Sequence, residues 1–285
     1  MTVPEATATS PWAPRRRRAQ ALAGRHPFAG EVLTLYLALV DVWDQAWDAA
    51  HEQRPDPGAL ASWAAGEVLP QVVAATARVG PVPLAEATRG LLEGGAAAGP
   101  LDAWLAGGEL APVQRYLARA TLWAPLQVVD ADAACAADPT PRGDRRCPRC
   151  GGPPQLSFRA HTDEGLVSGR RHLACARCAA DWSYTASACA WCGETAGTRR
   201  TVYSERRERP VVGRGDGATN GQAGGPLFPH LRIESCQSCM RYLIDVDLGH
   251  DARAVPEVDE LAALPLDLHA AELGLTKATP NLMGF

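Results

Sequence analysis

Apolar side chains recur every three or four residues through the first 125 positions, and the pattern then changes to short β-prone runs. Val32, Leu35, Tyr36, Leu39, Val42, Trp43 and Ala46 share one face and predict a helix from about 27 to 50. The RPDPG run at 54–58 breaks it, because proline removes an amide donor. Val68, Leu69, Val72, Val73 and Val79 form the stripe of a second helix, which GPVP at 80–83 ends. A short helix near 84–93 follows, then a short piece carrying Leu101, Trp104 and Leu105. Val113, Tyr116, Leu117, Ala120 and Trp123 mark a longer helix from about 110, with Pro125 as a kink. This half reads as packed helices, with Trp43, Trp47, Trp104 and Trp123 in its core. His26 and His51 stand alone and read as surface or capping residues.

Beyond a linker at 136–146, strands are expected at 155–158, 165–175, 181–189, 198–205, 231–236 and 241–248. The Gly-rich stretch at 211–226 reads as a flexible loop, and its Arg214–Asp216 triplet as coincidence. A closing helix over 256–274 starts on Pro256, with Val258, Leu261, Ala262 and Leu268 inward and Pro265 as an interruption. An extended tail follows it. The organisation is therefore α+β. A flexible N-terminus (1–24) and a helical domain (25–135) precede the linker. Modules at 147–188 and 189–250 follow, then a C-terminal helix and tail (251–285).

Composition narrows the function. With 285 residues and 46% hydrophobic content, the chain can bury a sizeable core. Its net charge of −4 disfavours a dedicated duplex-DNA binder. No apolar run is long enough to span a membrane. The Arg15–Arg18 run lacks the apolar segment that a signal peptide needs, so it reads as a solvated basic face. A cytoplasmic, reducing location is expected, and with it free thiols in place of disulfides.

The cysteines carry the chemistry. Eight of the nine form four CxxC pairs: Cys147/Cys150, Cys175/Cys178, Cys189/Cys192 and Cys236/Cys239. Each pair can place two thiolates on one ion, and two pairs complete a tetrahedron. The first and third pairs are followed by glycine, Gly151 and Gly193, and the second and fourth are not. Glycine there relieves a positive φ. Sequential pairing gives each site one glycine knuckle, so Cys147, Cys150, Cys175 and Cys178 are expected to form one centre. Cys189, Cys192, Cys236 and Cys239 are expected to form the other. His161, Asp163, His172 and His230 are not needed as ligands. Trp182 and Tyr184 are expected beside the first centre, Trp191 as an exposed partner contact, and Cys135 as an inert buried thiol.

Between 141 and 255 there are seventeen arginines and twelve acids. Eight thiolates and two divalent ions bring that excess close to zero, which turns the expected partner from nucleic acid to protein. A nucleic-acid-binding zinc ribbon would need exposed arginines such as Arg170, Arg171, Arg199 and Arg200.

The order CPRCGGPP, RRHLACARCAADW, CAWCG, ESCQSCMRYL, with DELAALPLDLHAAELG and NLMGF at the end, resembles the formate dehydrogenase accessory protein family, FdhE. HPFAGEVLTLYLALVDVWDQA is the best match in the helical half. The resemblance implies two rubredoxin-like or zinc-ribbon-like knuckle modules, with two iron ions expected and zinc as the alternative. It also implies a non-catalytic maturation factor whose partner is the formate dehydrogenase catalytic subunit, while the charge balance and the lack of a long apolar run point to no nucleic acid and no membrane insertion. A homodimer is left open, and a rubredoxin-like redox protein or electron carrier is a further reading.

Overall fold

A computed structural model describes residues 10–93, 98–160, 169–205 and 225–284. Most of the 211–226 stretch, with Arg214–Asp216, His161 and Asp163, lies outside them.

The helical half begins earlier than its sequence pattern suggests. Helix α1 (Trp12–Arg25) occupies the segment expected to be flexible. Trp12, Ala19 and Leu22 are buried, and so is Arg18. Trp12 packs against Trp43 at 5.5 Å and Trp123 at 5.4 Å, which anchors the N-terminus in the aromatic core. The basic run is thus not a purely solvated face. α2 (Gly30–Gln53) buries Leu35, Leu39, Val42, Trp43 and Ala46, as its periodicity requires. It ends at Arg54, in the left-handed region at φ 48°. α3 (Leu60–Glu67), α4 (Leu69–Val79), α5 (Val82–Glu93), α6 (Ala98–Leu105) and α7 (Pro112–Leu122) complete the layer. Pro125 opens a separate turn, α8 (Pro125–Val128), and α9 (Ala131–Ala134) leads toward the first cysteine pair.

The second half is a single sheet. Its strands are β1 (Pro154–Arg159), β2 (Arg171–Cys175), β3 (Asp181–Ser183), β4 (Arg200–Tyr203), β5 (Leu231–Cys236) and β6 (Arg241–Asp247). Their spatial order is β3-β2-β1-β6-β5-β4, with the short β7 (Thr276–Lys277) beside β6. β1–β2–β3 and β4–β5–β6 are two antiparallel meanders of the same plan. The two meanders are repeats joined by a parallel β1–β6 seam into one sheet. Asp245, fully buried on that seam, accepts from Ser157 at 2.7 Å, Arg159 at 3.0 Å and Arg232 at 2.8 Å. These bonds satisfy a charge whose burial would otherwise be costly.

Helices α10 (Pro256–Ala262) and α11 (Leu264–Glu272) bind the halves together. Pro265 divides them as expected, but Leu268 faces solvent at 67% exposure, and Leu266 and Ala270 turn inward in its place. The break at Ala263–Leu264 resets the helical phase, so one stripe does not run through both. On α10, Asp259 is bound by Arg18 of α1 at 2.9 Å and by His230 at 2.7 Å. The neighbouring Glu260 pairs with Lys277, which also reaches Asp267 at 3.0 Å. Gln155 of β1 donates to Glu260 at 2.9 Å. Removing one partner of such buried pairs costs about 3–5 kcal/mol, so these contacts fix how the halves dock. The apolar core is continuous from the tryptophans through Cys147, Cys150, Cys175 and Cys178 to Ile244 and Leu261. Among the described residues no helix is long and apolar enough to cross a membrane.

Candidate metal centres

The four cysteine pairs share one backbone shape. In each, the residue after the second cysteine has positive φ: Gly151 at 73°, Ala179 at 59°, Gly193 at 82° and Met240 at 53°. The glycine pattern thus marked two instances of a turn that occurs four times. The amide of the first cysteine closes the knuckle from behind: Cys147, Cys175 and Cys189 donate to the carbonyls of Gly152, Ala180 and Glu194 at 2.8–3.0 Å. In the fourth knuckle the β5–β6 ladder pairs Cys236 with Arg241 at the same place.

Position in the meander decides which pairs meet. In each repeat one knuckle precedes the first strand, and the other sits in the turn between the second and third strands. Folding the meander brings the two together. Cys147, Cys150, Cys175 and Cys178 form centre one, and Cys189, Cys192, Cys236 and Cys239 form centre two, as sequential pairing predicts. In each centre all four sulfurs lie within 4.8 Å of one another. Sγ–Sγ distances are 3.4 Å (Cys150–Cys175) and 3.6 Å (Cys147–Cys178) in centre one. They are 3.7 Å (Cys192–Cys236) and 3.9 Å (Cys189–Cys239) in centre two. A tetrahedron with metal–sulfur bonds of about 2.3 Å has edges of about 3.8 Å, so both clusters fit one zinc- or iron-sized ion.

Centre one is sealed. None of its four cysteines exceeds 4% exposure. The amides of Gly152 and Arg177 point at Cys150 Sγ (3.4 Å) and Cys175 Sγ (3.3 Å), which favours the thiolate form. A Cβ on Gly152 would stand 2.8 Å from Cys175 Sγ and 3.2 Å from Cys150 Sγ, so only glycine lets the chain pass this close. Arg177 donates to the carbonyl of Cys150 at 3.0 Å and to Asp138 at 2.9 Å. Burial pushes the Asp138 carboxyl up, but its bonds to Thr140 and Arg177 outweigh this and hold it below the usual range. Arg149 reaches back to the carbonyl of Val129 at 2.9 Å, which ties the first knuckle to the helices. Arg119 and Arg177 lie over Trp104 at 5.9 and 5.7 Å. Burial lowers the pKa of Arg119 to about 10, with Glu260 and Cys175 partly offsetting the drop. Two guanidiniums thus stand near four sulfurs in a dry environment.

Centre two is open. Cys192 is exposed, Cys189 and Cys239 are half-buried, and only Cys236 is buried. Trp191, inside the third knuckle, is half-buried. Its carbonyl accepts from Arg145 at 2.6 Å, and Arg241 lies over its ring at 4.4 Å.

The other sequence-predicted residues separate clearly. Tyr184 belongs to centre two, where its hydroxyl donates to the Cys189 carbonyl at 3.1 Å. Trp182 packs toward the linker instead, donating to the Asp144 carbonyl at 2.8 Å. His172 pairs with Asp181 and stacks on Phe158, while His230 pairs with Asp259, so neither joins a cluster. His26 is buried against Phe228 at 4.6 Å, which removes the surface reading for it. Arg171 is buried and bound to Glu234, so it is not an exposed basic residue. Cys135 is fully buried, as expected, and neighbours Cys150. Sequence reasoning missed Gly152, Arg177 and Asp138. The doubled glycine of CPRCGG was the available signal for the first; nothing local announces the other two.

Comparison with known proteins finds similar chains. A family model described as "FdhE, C-terminal domain" matches residues 221–283. A "Protein FdhE homolog" from Aquifex aeolicus is 29% identical over 139 residues, covering 49% of this chain and 41% of that protein. One from Pseudomonas putida is 33% identical over 138 residues, covering 48% and 38%. These alignments span about half of this chain and about two fifths of the relatives' length. The crystal structure of the FdhE protein from Pseudomonas aeruginosa matches almost end to end. It has a TM-score of 0.60 and 26% identity, and the match covers 95% of this chain and 94% of that one. By sequence and by fold, the chain is similar to FdhE proteins.

Proposed function

We propose that this chain is a non-catalytic maturation factor that binds the catalytic subunit of formate dehydrogenase in the cytoplasm. The carrying observation is the likeness to an FdhE protein over 95% of the chain, with both four-cysteine clusters assembled. We further propose rubredoxin-like centres, each holding one iron ion, with zinc as the alternative, through the eight clustered cysteines. A bound ion would cross-link two knuckles and supply folding free energy. The chain's own residues do the rest: Gly152 admits close packing, Arg177 ties centre one to Asp138, and Arg145 and Arg241 fix the Trp191 knuckle. The test is affinity capture from cells making formate dehydrogenase. The catalytic subunit should copurify with the chain, and its absence from the captured material would refute the reading.

The exposure of Cys192 also favours a second reading, an electron carrier built on centre two. Protein purified without oxygen should then be red and bleach on reduction. A colourless protein carrying two equivalents of zinc removes it.

A further inference from the structure

The two centres differ in how a solvent molecule can approach them. Every ligand residue of centre one is at most 4% exposed, so no face of its tetrahedron is accessible. At centre two the exposed residue is Cys192. It lies inside the third knuckle, between Cys189 and Gly193, whose backbone hydrogen bond closes that turn. Cys236 ends β5 and is laddered to Arg200 of β4 and Arg241 of β6. Cys239 lies in the β5–β6 turn. The Cys189 carbonyl is held by the Tyr184 hydroxyl and the Gly193 amide. Cys192 leads into an irregular stretch, 193–196, fastened by Glu194, whose carboxylate accepts from the Ser238 hydroxyl.

We propose that Cys192 is the exchangeable ligand of centre two: an external thiol or chelating donor takes its place on the ion, while the ion of centre one stays out of reach. The inference rests on the reading of both clusters as metal centres. The exchange is a substitution. One metal–sulfur bond forms to the incoming donor and the bond to Cys192 breaks. When the donor is a thiol, its proton passes to the departing Cys192 thiolate, and no electron moves. Attack needs an open approach to the ion, and among the four cysteines of centre two Cys192 is the exposed one, with Cys189 and Cys239 half-buried. The motion released is confined to the 191–193 turn, because Cys236 stays on its strand, Cys239 in its hairpin and Cys189 under the Tyr184 hydroxyl. That turn carries Trp191, whose ring lies 4.4 Å from the Arg241 guanidinium and 6.0 Å from that of Arg146. Substitution at the ion therefore frees an aromatic side chain at the surface, which makes centre two a ligand-operated element of that face.

The full chain, purified without oxygen and carrying two ions, is treated with substoichiometric iodoacetamide and mapped by mass spectrometry. Metal release is followed in parallel with a colorimetric chelator. Cys192 should be the first cysteine modified. One equivalent of metal should leave at least tenfold faster than the other, with a change in tryptophan emission that is absent in Trp191→Phe. Cys192→Ser should lack the fast phase, and its remaining ion should leave at the slow rate. First modification at any cysteine other than Cys192, or release of both ions at one rate, overturns the inference and leaves the metal reading intact. A chain that holds no metal under any loading condition overturns both.

Discussion

Centre one and centre two are made from the same repeat, yet they occupy opposite environments. Both use two knuckles, the same meander and the same left-handed residue after each pair. Centre one lies where the repeat meets the helices, and its cysteines belong to the continuous core. Centre two lies in the other meander, and Cys192 and Met240 beside it are exposed. The difference shows that a metal knuckle is a local device whose role is set by what packs on it. An ion bound in centre one would hold the helices and sheet together, whereas one bound in centre two would brace only its own meander.

Removing a thiolate from each centre should separate these roles most sharply. Cys150→Ser leaves a hydroxyl among buried sulfurs, takes one ligand from centre one and disturbs the helix–sheet junction. The expected loss is comparable with a whole domain's net stability, about 5–15 kcal/mol, so little folded protein should be recovered. Cys192→Ser should cost about 1–2 kcal/mol and leave the far-ultraviolet circular dichroism unchanged. Thermal unfolding with metal analysis reads both. Equal destabilisation by the two substitutions would remove the contrast between the centres.

A smaller effect is expected from the charge beside centre one. Arg177→Met deletes the cation that holds buried Asp138 and the Cys150 carbonyl. About 1–3 kcal/mol should be lost, because the carboxylate loses its cationic partner and keeps the Thr140 amide. The sign with pH follows from the depressed carboxyl. The Asp138 contribution is complete above its ordinary value of 3.8 and is lost as pH falls through the lower folded value. Wild type should therefore lose this stability below pH 4, and Arg177→Met should show less of that dependence. An unchanged acid profile in the variant would mean that Arg177 acts only by packing.

How much of this was legible in the sequence follows the range of the interactions. The knuckles, their sequential pairing and the positions of six strands depend on spacing and local preference, and they could be read directly. Helix α1 could not. Its arginines look solvated until Asp259, more than two hundred residues away, receives Arg18. The β1–β6 seam was hidden for the same reason, since Ser157 and Asp245 meet only after both meanders form. Leu268 failed differently, because a single helical phase was carried across Pro265. Gly152 was visible as a residue, but its closeness to two sulfurs depends on Cys175 arriving from β2.

The smallest effect tests whether the repeat survives the difference in burial. Ala179 and Met240 hold the left-handed backbone that Gly151 and Gly193 adopt without steric cost. A non-glycine residue there is strained by about 1 kcal/mol, and part of that gain is returned when glycine adds freedom to the unfolded chain. Ala179→Gly should therefore raise stability by about 0.5 kcal/mol, a shift of about 1–2 °C in thermal midpoint. Met240→Gly should do the same if the half-exposed methionine side chain, at 46% exposure, covers nothing of consequence. Equal gains would show that the four knuckles share one backbone energy whatever surrounds them. A loss at Met240→Gly alone would show that its side chain shields centre two, and that the open centre is less open than its cysteines suggest.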